Sequence, residues 1–139
     1  MAAPYSYWIA GNPTPAGVIS NLQTGNFTGV YNGKAIGTEL NATGGAISIA
    51  DTCALTANFG TSTIAGNINF PGVITLPIPM GSQNISSNHF TAAIFNGTDV
   101  SGQVNGAFFG PAANAVGGNF NASNSSTNKA YLGIFGGTR

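Results

Sequence analysis

Apolar and polar side chains alternate with a period of two along most of this chain. In residues 52–59, for example, Cys53, Leu55, Ala57 and Phe59 share one face. This is the period of a β-strand with one buried face, and no window keeps helical apolar spacing for more than a turn or two. The sequence therefore predicts an all-β protein of about eight strands. The segments with this alternation, strong or weak, are 25–37, 46–50, 52–59, 63–70, 90–95, 100–109, 116–121 and 130–136.

Turn signals separate these segments, and short turns between regularly spaced strands are typical of a sandwich or a barrel. The signals are Asn32-Gly33, Gly44-Gly45, Gly60-Thr61, Asn96-Gly97 and Gly110-Pro111.

Glycine on the apolar faces favours the barrel. A narrow barrel must offset large interior side chains with very small ones on neighbouring strands, and glycine also permits the bends that closure requires. We therefore expect a single closed eight-stranded antiparallel barrel with large and small residues on one interior face. Its expected large residues are Phe59, Phe70, Phe108 and Phe120, and its small ones are Gly66, Gly102, Gly106 and Gly118.

The barrel is expected to span residues 24–139, as the only domain of the 139-residue chain. Residues 1–23 are expected to form an irregular amino-terminal segment. Pro71, Pro77 and Pro79 interrupt regular pairing, so residues 71–89 are predicted to form one long loop.

Charge is scarce: only 4% of residues are charged, where about 25% is typical. Lys34, Lys129 and Arg139 are far apart in sequence and form no basic cluster, which argues against nucleic-acid binding. Solubility must come from Asn, Thr, Ser and Gln. Such an uncharged exterior favours an extracellular or cell-surface protein over a cytosolic enzyme.

No apolar stretch has the length of a spanning helix, and Met1-Ala2-Ala3-Pro4 lacks the features of a signal peptide. A membrane-spanning barrel is not expected, because glycine is common on the apolar face that would contact lipid. Cys53 is the single cysteine; it excludes an internal disulfide and is expected to be an inert core thiol.

No catalytic or metal-binding set is visible in the sequence, so no cofactor is expected. His89 is the single histidine and reads best as a solvated loop residue; haem ligation by His89 with Met80 is the alternative. Tyr5, Tyr7 and Trp8 are the candidate partner contacts because aromatic residues anchor interfaces. Equally, their segment could fold back over the barrel. Asn-x-Ser/Thr triplets at Asn26, Asn41, Asn84, Asn96 and Asn121 are expected by chance in so Asn-rich a chain.

Three ordered motifs resemble the carboxy-terminal barrel of bacterial transferrin-binding protein B. They begin at Val100 (VSGQVNGAFFGPAA), Val116 (VGGNF) and Gly133 (GIFGGTR). The resemblance spans most of 25–139 and implies an eight-stranded barrel on, or secreted from, the bacterial surface. Members of this family bind host iron proteins, haem or complement factors. The family's handle domain and its usual high charge are missing here, so transferrin binding is not carried over.

Two functions follow as expectations. The first is a non-catalytic surface or secreted binding module for a host protein or an iron or haem source. The second is a self-assembling structural subunit whose amino-terminal segment adds a strand to a neighbouring copy.

Overall fold

The computed structural model describes residues 11–81 and 84–139. A helix precedes nine strands in this part of the chain: α1 (Ala16–Thr24), β1 (Thr28–Leu40), β2 (Ala46–Asn58), β3 (Thr63–Phe70), β4 (Ile74–Ile78), β5 (Ile85–Ser86), β6 (His89–Asn96), β7 (Val100–Phe109), β8 (Ala115–Asn124) and β9 (Lys129–Thr138). Tyr5, Tyr7 and Trp8 lie outside the described residues.

The strands form one antiparallel sheet in the order β4-β3-β2-β1-β9-β8-β7-β6-β5. The all-β prediction is confirmed, but the prediction of a closed eight-stranded barrel is wrong. The sheet is curled and open, because no ladder joins β4 to β5 or β6 among the described residues. The segments predicted at 46–50 and 52–59 form one strand, β2, and the Asn32-Gly33 turn signal lies inside β1.

The predicted loop over 71–89 is also wrong in part, because it contains β4 and β5. Pro77 is accommodated because β4 ends the sheet, and an edge strand tolerates proline better than a central one. Asn84 bridges the gap by linking the β2–β3 turn to β6. Its backbone N–H donates to the Ser62 carbonyl (2.7 Å), and its side-chain nitrogen donates to the Thr91 carbonyl (3.1 Å).

The predicted interior face is confirmed, since Phe59, Phe70, Phe108 and Phe120 are all buried. The ring centroid of Phe108 lies 5.0 Å from that of Phe59 and 5.3 Å from that of Phe90. Phe70 and Phe120 form a second pair at 5.9 Å. These separations are typical of favourable tilted aromatic pairs, so the rings form the centre of the core.

Gly106 shows how small residues accommodate the rings. It pairs with Phe90 on the neighbouring strand, and a Cβ at Gly106 would collide with the Phe90 ring. The ring therefore covers the glycine, as expected for large and small side chains that share a curved sheet.

Residues 16–24 form α1, which corrects the prediction of an irregular amino-terminal segment for residues 16–23. The helix is short (9 residues) and mostly exposed, with Ile19 as its buried side chain. Leu22 also packs against the core. Nine residues are too few to show a sustained helical hydrophobic period, which explains why the pattern missed the helix. Ile19 belongs to the barrel core, so α1 covers the end of the barrel at which β1 begins. Whether a domain boundary falls at residue 23 stays a prediction.

Candidate binding surface

The barrel has two unlike ends. At the capped end, α1 and residues 110–114 meet the starts of β1 and β8. At the hairpin end, tight turns over 41–45, 71–73, 97–99 and 125–128 join consecutive strands.

At the capped end, residues 12–14 lie against the last residues of β7. The Thr14 N–H donates to the Phe108 carbonyl (2.8 Å), and the Gly110 N–H donates to the Asn12 carbonyl (3.0 Å). The Thr14 hydroxyl donates to the Gly110 carbonyl (2.7 Å). Thr14 is buried, so this stretch of the amino-terminal segment is an integral part of the barrel.

Arg139 completes the capped end. Its guanidinium lies 4.7 Å from the Phe27 ring centroid, and its Nε donates to the Ala113 carbonyl (3.0 Å). The buried Tyr31 hydroxyl donates to the same carbonyl (2.7 Å). Burial raises the pKa of Tyr31, and the positive charge of Arg139 opposes part of that rise. Arg139 and Tyr31 therefore tie the end of the chain and the loop at Ala113 to the start of β1.

A charged pair lies on the core-facing side of the sheet, near the hairpin end. Glu39 is buried and lies 3.2 Å from the Lys129 ammonium. Burial raises the pKa of the neighbouring Tyr131, and both the negative charge of Glu39 and a hydrogen bond to it add to the rise. Each charge therefore has its partner within the barrel, which makes a structural role the simplest account of this pair.

Cys53 is buried, as expected for an inert core thiol. Its Sγ lies 3.6 Å from the carbonyl oxygens of Lys34 and Gly136. Burial raises the pKa of the thiol, so it is protonated at neutral pH and a poor nucleophile.

The edge of β2 at the hairpin end is open on one side. The last ladder pair between β2 and β3 is Thr52 with Asn69, and β3 ends at Phe70, opposite Asp51. Residues 46–51 therefore have no ladder partner on that side, and residues 46–50 extend beyond β3. The same residues remain paired with β1 on their other side. One row of their backbone groups therefore has no neighbouring strand among the described residues.

A groove of about 230 Å³ occupies the place that β3 leaves vacant. It lies between residues 47–51 of β2 and the β3–β4 turn. Ile47 and Val73 line it and are 52% and 40% exposed, and the half-buried Asp51 is the one charged residue of its lining. Within the described chain Asp51 has no ion pair, although Lys34 lies on the adjacent strand. We call residues 46–51 with Phe70, Pro71 and Val73 the β2 notch.

A second apolar area lies on the outer face of β1 and β9. Ile36 pairs with Ile134 across these strands, and Leu132 lies beside them. Ile36 and Leu132 are both exposed. Exposed apolar side chains that adjoin one another on a sheet are typical of contact surfaces.

His89 and Met80 both lie at the capped end of the barrel. His89 is the exposed first residue of β6, where it pairs with Ser86 and Ala107. Met80 follows β4 and is 74% exposed. His89 thus begins a strand, where a loop position was expected. Their pairing as haem ligands stays a prediction.

Sequence reasoning did not find the β2 notch. The signal that could have shown it is the unequal length of two neighbouring strands, since β2 has 13 residues and β3 has 8. Division of β2 into two predicted strands hid that difference. Metal sites give no competing candidate, because no three His, Cys, Asp or Glu side chains come together in residues 11–81 and 84–139.

The described helix is too short and too polar to cross a membrane. An antiparallel sheet curled into an open barrel and capped at one end by a helix defines the class of the protein. Residues 23–139 match the family of C-lobe and N-lobe β-barrels of transferrin-binding protein B, and the chain belongs to this family. No curated protein sequence matches the chain significantly.

Solved structures share the fold. Transferrin-binding protein B from Neisseria meningitidis has 20% sequence identity and a TM-score of 0.69, over 91% of this chain and 27% of that one. A double mutant of transferrin-binding protein B from Haemophilus parasuis has 18% identity and a TM-score of 0.66, over 91% and 27%. HpuA from Kingella denitrificans, solved in complex with human haemoglobin, has 24% identity and a TM-score of 0.59, over 93% and 48%. The chain thus spans less than half of each of these structures.

Proposed function

We propose that the chain is a non-catalytic binding module of the bacterial cell surface that engages a host iron-carrying protein. The observation that supports this proposal is the family match over residues 23–139. One structural relative is named for transferrin binding, and another was solved with haemoglobin bound. Exposed apolar side chains in the β2 notch and on β1 and β9 supply surface suited to a protein partner.

The direct test is a binding measurement with the purified chain immobilised on a biosensor. Human haemoglobin and human transferrin are the analytes, and serum albumin is the control. Concentration-dependent binding of either iron protein above the albumin signal supports the proposal. Equal signals for all three proteins would reject specific binding to human haemoglobin and human transferrin.

Tyr5, Tyr7 and Trp8 are proposed as partner contacts within this function. Because Asn12 and Thr14 bond to Gly110 and Phe108 at the end of β7, a deletion that tests the aromatic residues should stop at residue 10 and leave that pairing intact. Lost binding with an unchanged melting temperature supports a contact role. A lower melting temperature supports the alternative, in which the segment covers the barrel.

His89 and Met80 are proposed as haem ligands within the same function. Haem titration followed at the Soret band tests the pair, with wild type compared against His89→Ala and Met80→Ala. A shifted Soret band that each substitution alters supports ligation. A shift that persists in both variants, or a spectrum identical to free haem, excludes these residues as ligands.

A further inference from the structure

We infer that the β2 notch binds an extended polypeptide segment of a partner protein as an added strand, with a lysine or arginine of that segment opposite Asp51. The inference rests on the proposed binding function and specifies the kind of partner segment and the place where it binds.

The backbone of β2 supplies the first part of the argument. Residues 46–51 are held in extended form by pairing with β1 along their whole length. The opposite row of N–H and C=O groups faces the space beyond the end of β3. An antiparallel strand edge presents these groups at alternate residues, a spacing that another extended backbone matches. The notch is therefore a ready template for strand addition.

The side chains around the notch supply the second part. Ile47 and Val73 are exposed and line the groove, so a strand laid there would cover apolar surface. Natural sheets usually protect an exposed edge with lysine, proline or a bulge. Residues 46–51 contain no lysine or proline, and the nearby Pro71 lies in the β3–β4 turn. Only Asp51 carries charge along this edge.

Charge decides between possible occupants. Asp51 is half-buried and lacks an ion pair among the described residues, so a cation on the added strand would give it a partner. A second copy of this chain cannot provide one from the same edge. Its Lys34 lies on β1, one strand further from that edge, its Lys129 is held by Glu39, and its Arg139 belongs to the capped end. The notch therefore fits a basic, β-prone segment from a different protein better than it fits another copy.

Hydrogen exchange on the intact chain tests the inference. The probe is a short synthetic peptide of alternating threonine and valine with one central lysine. A matched peptide carries glutamate at the centre, and a third carries N-methyl groups along its backbone. At a lysine-peptide concentration about ten times its Kd, exchange of the edge amides of Ile47–Asp51 should slow about tenfold. The glutamate peptide should bind more weakly, and the N-methylated peptide should give no protection.

Charge reversal provides the matched variants. Asp51→Lys should reverse the preference, so that the glutamate peptide protects the notch better than the lysine peptide. Asp99→Lys makes the same change in an exposed turn of the hairpin end and should leave the preference unaltered. Thermal melting of both variants checks that each one folds.

Three results would overturn the inference. They are equal binding of the lysine and glutamate peptides, equal protection by the N-methylated peptide, and protection of Ile47–Asp51 without any peptide. In the last case, sedimentation and deletion of residues 1–10 identify a second copy or the chain's own amino terminus as the occupant. If the peptides do not bind the β2 notch but haemoglobin or transferrin still binds the chain, the inference about the notch is rejected and the proposed function is retained.

Discussion

Replacement of Phe108 by leucine tests whether contacts between aromatic rings hold the core together. The Phe108 ring packs against Phe59, Phe90 and Tyr31, with centroid separations of 5.0, 5.3 and 6.1 Å. Leucine keeps the site apolar but removes all three ring contacts, each worth about 0.5–1.5 kcal/mol. Because neighbouring contacts are not additive, we expect a loss of about 1.5–3 kcal/mol in the free energy of unfolding.

Phe109→Leu is the matched control. It makes the same chemical change at the next residue, which lies on the opposite face of β7 and is only half-buried. This variant should lose about 1 kcal/mol or less. Urea unfolding monitored by circular dichroism measures both variants, and the melting temperature of Phe108→Leu should fall by about 5–10 °C. A similar loss in the two variants, or a loss below about 0.5 kcal/mol for Phe108→Leu, would refute the assigned role of the ring cluster.

Glycine substitutions and alkaline titration test other parts of the fold. Gly17→Ala should stabilise the chain by about 0.5–1 kcal/mol in urea unfolding, because Gly17 lies in α1 with open space around its missing Cβ. Gly118→Ala should instead cost about 1–3 kcal/mol, since its Cβ would lie 2.6 Å from the Gly106 Cα; a stable variant would contradict the close strand approach. Stability should fall as the pH rises above about 10, because the raised pKa values of Tyr31 and Tyr131 make the unfolded chain lose these protons first. Urea midpoints between pH 8 and 11 measure this decline, and Tyr31→Phe should reduce its slope.

The interior of the barrel was predictable because it depends on a local pattern. Alternation places Leu55 and Phe108 on the core face of their strands wherever the neighbouring strands lie. The candidate binding surface was less predictable. Asp51 and Val73 come together only because β2 continues past the end of β3, and a strand's overhang depends on the length and register of its neighbour.

Residue types and their period of two thus determined that this chain forms strands, which side chains enter the core and which family it resembles. The tertiary structure decided the rest. It joined two strand segments into β2, placed β4 at the edge of an open sheet, and brought Ile19 over the capped end. It also paired Glu39 with Lys129, which are far apart in sequence. The physical reason is that the alternation of apolar and polar residues is a property of each strand's own sequence. Register, closure and distant charge pairs depend instead on how all strands fit together.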